Sequence, residues 1–537
     1  MVNKKLPVIG GAVIAVFLLV LTFPALRDGV HELMDERQMS RGGELANVYC
    51  STCHLEPSPD ILPKKSWEAA LGYMGYMLGM ENLDYLADHP EFAQENVKSK
   101  QSYLLKEHMI PDAPLLSESE WQALRFYYVE SAPAEPLPQA DKPKLHWELP
   151  QFDIVQSDYR ADPPVTTMVH IREETSEAYI GDSLAHTLAV LDSDGQLKAE
   201  PRRYGPAMSP VGIEFYDDAA YVASIGDIFG DETSAVKIAT ISRLLLVDQD
   251  IDATSISVVI DDLYRLAAMD IADFNADGIV DFVVCGFGTR QGNVALYESD
   301  GEDNYRERVL IDRPGAVKAE IYDFNGDQHL DIAVLLSDAR EGLYILTNNG
   351  ANEFERTTVF ETHPSYGHTY FELQDFNRDG LMDILTVNGD NVDSDPYNTL
   401  KNYHGIRIYL NRGDLHFEEA YFYPMYGAFG AKAGDFDNDG DLDIAAISFF
   451  PDFKIERREA FVYLQNDGGM DFSAYTTPET VNGRWMTIGA GDLDGDDDLD
   501  IVLGGANIPV GMFAYMDLYR AMAESAPSIL VLENTLN

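Results

Sequence analysis

Five consecutive residues, Cys50-Ser51-Thr52-Cys53-His54, carry the most specific chemistry in this chain. Two thiols at this spacing can add across the vinyl groups of a haem while the histidine that follows ligates the iron from the proximal side. The same CxxC could be half of a zinc site or a dithiol redox centre. Zinc needs further Cys or His ligands nearby, and no second CxxC supplies them. A dithiol centre calls for βαβ surroundings, whereas this motif ends a helical stretch. One covalent haem is the reading these residues favour. A second set of residues recurs five times: Asp273, Asn275, Asp277 and Asp281; Asp323, Asn325, Asp327 and Asp331; Asp375, Asn377, Asp379 and Asp383; Asp435, Asp437, Asp439 and Asp443; Asp492, Asp494, Asp496 and Asp500. Side-chain oxygens at positions 1, 3, 5 and 9, with a backbone carbonyl at position 7, form a hard-oxygen set suited to Ca²⁺. An EF-hand would place Glu at position 12, where Val284, Val334, Thr386, Ala446 and Leu503 stand instead. Position 6 should curl most easily with glycine, as at Gly278, Gly380 and Gly440, and less so at Gln328 and Asp497. Three to five bound calcium ions are expected, with the Asp323 loop the weakest.

The elements that must position the CxxCH are helical. Glu32 to Tyr49 reads as a helix leading into the motif, Lys65 to about Met80 as a second, and Asn82 to Val97 as a third. A fourth starts at the capping box Ser117-Glu118-Ser119-Glu120 and buries Trp121, Leu124 and Tyr128 on one face. Trp67, Leu71, Met74 and Leu78 share a helical face, which core packing explains most simply. Ahead of this region, Lys4-Lys5 precede an uncharged apolar run from Leu6 to Leu26, long enough to span a bilayer. Its exit, Thr22-Phe23-Pro24-Ala25-Leu26, is a poor cleavage site. A single-pass anchor over 1–29 with the remainder in the periplasm or extracellular is therefore expected, the alternative being a secreted protein after signal cleavage. A helical domain over 30–132 and a stiff Pro-rich linker over 133–145 follow. The net charge of -53 over 537 residues argues against nucleic acid and anionic lipid as partners of the exported part. Cys285 stands alone in an apolar run and reads as a buried strand residue.

From 146 to 537 short β-rich runs alternate with Gly, Asp and Asn turns, and each Asp loop leads into a strand such as Phe282-Val283-Val284. One four-stranded sheet per repeat fits a β-propeller. Five loops, plus room for two blades around Thr167–Asp192 and Val211–Val247, make seven blades, with six or eight also compatible. The strand before each loop would be the innermost, facing the central channel. Those strands carry Arg265, Lys318, His368, Lys432 and Arg484 in a chain short of cations. Tyr366, Asp390, Asn391, Lys401, Tyr403 and His404 form another polar, aromatic group. Pairing with blade carboxylates is the simpler account of these residues. The sharper one is a channel-mouth site for an anionic or polar ligand, built on Arg265, His368, Lys401, His404 and Arg484.

The CxxCH, the helix through Gly42-Gly43-Glu44-Leu45-Ala46 and the aromatic pair Tyr127-Tyr128 resemble those of c-type cytochromes. Residues 50–79, with Pro57, Pro59, Pro63, Trp67 and Met74, resemble more narrowly a group of small cytochromes in which prolines, Trp and Met follow the haem motif. That resemblance implies Met74 as the distal ligand; Met109 sits where larger cytochromes place theirs, and Met77, Met80, His108 or an open position remain alternatives. A carbonyl of the proline region, that of Pro57, would orient His54. The Asp loops resemble FG-GAP or VCBS repeats over most of 265–510, the calcium-loop propeller type of integrin heads. The whole resembles bacterial proteins that fuse a membrane-anchored cytochrome c domain to such a propeller. It implies extracytoplasmic electron transfer with a redox partner protein, the propeller serving for docking or ligand binding. Two other readings stay open: a haem-linked oxidoreductase whose active site and small-molecule substrate lie on the propeller, and a redox-sensing surface binding protein.

Overall fold

A computed structural model describes residues 24–52, 54–80, 110–111, 113–203, 209–228, 237–252, 254–288, 291–301, 304–350, 353–391, 395, 397–455 and 457–536. The chain divides into two compact units, Met1–Leu137 and Pro138–Asn537. The break falls inside the Pro-rich stretch expected to be a linker, whose second half is held to the propeller: Lys142 Nζ donates to Pro424 O at 2.8 Å and pairs with Glu459.

In the first unit, α1 (Pro24–Tyr49) runs into a 3-10 turn at Cys50–Thr52, followed by α2 (Lys64–Met77) and α3 (Glu118–Ser131). The second helix stops three residues before the expected Met80, because the chain turns through Gly79 at φ +75°. The capping box is present in full, with the Ser117 hydroxyl accepting from Glu120 N–H and the Glu120 carboxylate accepting from Ser117 N–H. α1 and α3 cross at Gly42, where a Cβ would lie 2.2 Å from Ala123 O, so only glycine permits this approach. The core between the helices gathers Leu45, Trp67, Leu71, Trp121, Leu124 and Tyr128. Among the described residues no helix is long and apolar enough to cross a membrane. The proposed anchor run, apart from Pro24–Leu26 at the start of α1, and the helix expected over Asn82–Val97 lie outside the described residues.

The second unit is a seven-bladed β-propeller. Its inner strands, in chain order, are Thr166–Arg172, Pro210–Tyr216, Leu266–Ala272, Ala316–Tyr322, His368–Gln374, Ala428–Gly434 and Trp485–Gly491. Each packs beside the next and the seventh returns to the first, closing the ring. Blades 1 and 2 stand where room was left for them. The last blade is completed by an early strand: Phe152–Gln156 pairs antiparallel with Ile529–Asn534 as its outer edge, tying the two ends of the ring together. A second early strand, Leu145–His146, adds parallel to the edge of blade 6. The cores lie between neighbouring blades, because second strands such as Asp281–Gly286 and Asp331–Leu336 are buried on both faces. Cys285 is fully buried there, as expected.

Antiparallel pairing sends the Asp loops, which join first to second strands, to one face of the propeller. The connections between second and third strands emerge on the other. In blades 5, 6 and 7 these connections are long, spanning 389–404, 449–460 and 506–528, the last containing α4 (Met516–Ser525).

Candidate functional site

Around the CxxCH, α1 delivers Cys50 to the edge of the helical core, half-buried beside Tyr49. The Thr52 hydroxyl donates to Tyr49 O at 2.7 Å, holding the turn closed at the helix end. Tyr128 is buried with its phenol beside the Cys50 thiol; burial first, and that thiol second, push its pKa far up. Trp67 lies tilted against Tyr128 with ring centroids 4.3 Å apart and donates its indole N–H to Pro59 O at 2.7 Å, tying the Pro59 turn to the tryptophan. The Trp121 indole nitrogen is buried without a hydrogen-bond partner among the described residues. His54 Nδ1 lies 2.7 Å from Leu55 O. The carbonyl of the adjacent Leu55 thus lies within reach of the ring, next to the proline region where an orienting carbonyl was expected. A proton on Nδ1 leaves Nε2 as the lone-pair nitrogen, the form in which imidazole ligates a metal. Trp67 and Leu71 are buried core residues with Leu78 against them, whereas Met74 is only half-buried and outside that cluster. Met80 is buried within it, and Met77 packs on Ile110. Cys53, His108 and Met109 lie outside the described residues.

The five Asp loops share one backbone. Positions 4 and 6 are left-handed in every copy, but glycine takes position 6 in three loops (Gly278, Gly380, Gly440) and position 4 in the other two (Gly326, Gly495). Gln328 and Asp497 accordingly adopt φ +72° at position 6, so the absent glycine there does not change the curl. Position 1 accepts loop amides, as where Gly278 N donates to Asp273 Oδ2 at 2.8 Å and Asp277 N to Oδ1 at 3.1 Å. Position 9 works as a brace as well as a candidate ligand. In Asp383, Oδ2 accepts Phe376 N at 2.9 Å and Oδ1 accepts Asn411 N at 2.8 Å. Asp281, Asp331, Asp443 and Asp500 repeat this pair of bonds. Burial raises the Asp443 carboxyl to about 7 and those of Asp281 and Asp500 to about 6. Carboxylate oxygens of Asp435, Asp437 and Asp439 lie within 4.8 Å of one another, as do those of Asp492, Asp494 and Asp500. An asparagine that sequence reasoning missed closes four of the loops: Asn348, Asn411, Asn466 and Asn534 each donate to the position-8 carbonyl at 3.2 Å.

On the opposite face the expected ligand residues divide. Arg484 is buried and gives its guanidinium to three carbonyls, Phe449 O at 3.1 Å, Ile508 O at 2.5 Å and Val510 O at 2.8 Å, while lying 3.9 Å from the Phe449 ring centroid. Burial lowers its pKa to about 9. Arg265 likewise donates to Ile228 O at 2.9 Å. Both arginines brace the connections that cover this end of the channel, where Val165, Phe449, Phe450 and Ala506 form an apolar cluster. Both guanidinium groups thus donate to backbone carbonyls of these connections. His368, Lys401 and His404 do come together in blade 5. Tyr366 lies 6.0 Å from the His368 ring and 4.6 Å from that of Tyr403, and His404 Nε2 is 3.2 Å from Ser365 O. Burial lowers the His368 pKa to about 3 and that of His404 well below its usual range. His368 is joined to Glu341, whose pKa burial raises, and Lys401 to Asn391, with Asp395 at 3.9 Å.

The channel itself is lined by residues that were largely missed. The fifth residue of each inner strand stands at one level: His170, Glu214, Asp270, Glu320, Glu372, Lys432 and Gly489. Of the five residues expected to face it, Arg265, Lys318, His368, Lys432 and Arg484, Lys432 belongs to this level and Lys318 stands two residues before Glu320. Asp270 Oδ2 accepts Ile321 N at 2.8 Å and Glu320 Oε2 accepts Leu373 N at 3.0 Å, each clasping the following blade. Lys432 pairs with Glu372 at 3.3 Å, and Lys318 pairs with Glu320 while donating to Phe371 O at 2.7 Å. Both ammonium groups flank the Tyr370 ring, at 4.0 and 5.5 Å. The signal was present in the sequence: this residue lies three positions before the first Asp of each loop.

Residues 273–334, 323–386 and 393–446 match the model of the FG-GAP-like repeat. No curated protein matches the chain. Among solved structures, a chain from S. cerevisiae Dbp5 bound to Nup159, Gle1, IP6 and ADP aligns over 74% of this chain and 97% of its own, at 9% identity and a TM-score of 0.38. The protein carries FG-GAP-like repeats in a seven-bladed β-propeller.

Proposed function

We propose that this protein is a c-type cytochrome working in extracytoplasmic electron transfer, with a calcium-braced propeller as its docking or ligand-binding module. The observation that carries the reading is the CxxCH placed at the end of α1, with His54 Nδ1 against Leu55 O and Cys50 on the edge of an aromatic core. Those residues fit a covalent haem: two thiols for the vinyl groups, an imidazole oriented through Nδ1, and apolar walls from Trp67, Leu71 and Tyr128 to exclude water. The buried Trp121 N–H, without a partner among the described residues, suits an acceptor on such a group. When bound, the haem supplies a one-electron couple. A thioether on the distal side would raise the potential and favour electron transfer over ligand chemistry. Met74 is our first candidate for that ligand, with Met109 the alternative. In the propeller, the carboxylates at positions 1, 3, 5 and 9 would hold three to five calcium ions, which would offset the mutual repulsion of each loop. The apolar run Leu6–Leu26 would anchor the chain in the cell membrane.

Visible spectroscopy of the matured protein tests the reading. The expected result is a low-spin haem spectrum that responds to a respiratory electron-transfer protein, with the distal features lost in Met74→Ala. Reduction by a small metabolite without any protein partner would favour the oxidoreductase reading instead. A chain that acquires no haem would end both.

A further inference from the structure

Three side chains of the long blade-5 connection, spanning 389–404, meet out of reach of water: Asn391 and Asp395 are 3% exposed and Lys401 4%. Lys401 Nζ lies against Asn391 Oδ1, one bond from the Cγ carbon. Asp395 Oδ2 stands 3.9 Å from the same nitrogen. An ammonium paired with a carboxylate usually closes to about 2.7–2.9 Å. Here the amine is turned to an amide, and the carboxylate stands beside it. Both of its neighbours are held in place. Asn391 Nδ2 donates to Thr399 O at 3.0 Å, which fixes the plane of the amide. Asp395 Oδ1 accepts Tyr397 N and Oδ2 accepts Thr399 N, each at 3.1 Å. The trio lies on the face opposite the Asp loops and takes no part in the haem or calcium chemistry proposed above.

An amine held against a carboxamide, beside a proton acceptor, can exchange one amide nitrogen for another with no co-reactant. Two charges taken out of water are costly, and passing a proton from the Lys401 ammonium to Asp395 removes both. The neutral amine then attacks Asn391 Cγ, forming the Nζ–Cγ bond. Asp395 gives its proton to Nδ2 and takes one from Nζ. The Cγ–Nδ2 bond breaks and Nδ2 leaves as ammonia. That ammonia takes the last proton from Asp395 and departs as ammonium, so the carboxylate is restored and nothing is oxidised or reduced. His404 is the poorer proton acceptor, since burial first and Lys401 next lower its pKa. Holding the reacting groups together replaces an encounter that would be slow between free molecules.

We propose that Lys401 and Asn391 form an intramolecular isopeptide bond, with Asp395 carrying the protons, and that this bond covalently closes the blade-5 connection. Tryptic mapping of the denatured full chain by mass spectrometry tests it, because trypsin cleaves after Arg378, Lys401 and Arg407. Peptide 379–407 should run uncut past Lys401 and be lighter than its sequence by one ammonia, with no backbone fragments released between 391 and 401. Asp395→Asn and Asn391→Ala should each restore cleavage after Lys401 and the full mass of the variant sequence. A peptide of full mass, cut after Lys401 in the unaltered chain, would overturn the proposal. So would an ammonia loss that leaves Lys401 open to trypsin, the mark of a succinimide, and so would linkage undiminished in Asp395→Asn. The first readout needs no variant to fold, and it is the same whether or not haem is attached.

Discussion

The two faces of the propeller are built from the same strands and solve opposite problems. One face repeats a single device five times: a nine-residue Asp loop with left-handed turns at positions 4 and 6 and a position-9 carboxylate that binds two buried amides. On the other face the blades share only a short backbone bond from the residue after the second strand to the one before the first, as from Ser337 N to Gly315 O at 2.7 Å and Gly389 N to Gly367 O at 2.8 Å. Its long connections on blades 5, 6 and 7 are held by individual residues, such as Arg484 on three carbonyls and Asn398, whose side-chain amide reaches Gly511 O at 3.1 Å. Repetition marks what holds the blades together.

The largest effect should come from the brace itself. Asp383→Ala leaves two buried N–H groups without acceptors and should destabilise the propeller by about 3–5 kcal/mol, read by urea unfolding with calcium present. A smaller loss, equal to that of the exposed Asp379→Ala, would show that position 9 serves only as a ligand. Calcium removal comes next. At a hundredfold excess over its dissociation constant each ion contributes about 2.7 kcal/mol, so chelator should lower the melting temperature clearly. A melt that chelator leaves unmoved would reduce the loops to polar turns. On the other face, Arg484→Met should cost about 2 kcal/mol, with hydrogen exchange rising over 506–528 before it rises in the Asp loops. Equal exchange on both faces would break the distinction drawn here. The smallest test concerns the curl: Gly380→Ala should destabilise by about 1 kcal/mol, and Gln328→Gly should relieve a similar strain.

Much of this architecture was legible because it is periodic. Loop spacing located blades 3 to 7, and β-rich runs of the right length located blades 1 and 2. The roles of single residues were harder to read. Arg265 and Arg484 were assigned to the channel by their strand position, but each stands just before its strand, where the chain meets the covering loops, so backbone carbonyls took its donors. The ring of His170, Glu214, Asp270, Glu320 and Glu372 escaped notice because acidic residues are common in this sequence and no single one is unusual. A shared offset of three residues before the loop marks Asp270, Glu320 and Glu372, whereas His170 and Glu214 lie in blades without an Asp loop and only the strand alignment places them at this level. Gln328 and Asp497 looked like defects because glycine was sought at position 6, when the loop needs left-handed backbone at positions 4 and 6 and glycine at just one of them.

The central claim rests on the short motif in the helical unit. Intact-mass measurement under denaturing conditions, on the full chain matured in a host that attaches haem to exported proteins, tests it most directly. The mass should exceed that of the polypeptide by one haem, and the increment should vanish when Cys50 and Cys53 are both replaced by alanine. A polypeptide of unmodified mass, with both thiols open to alkylation, would contradict the account.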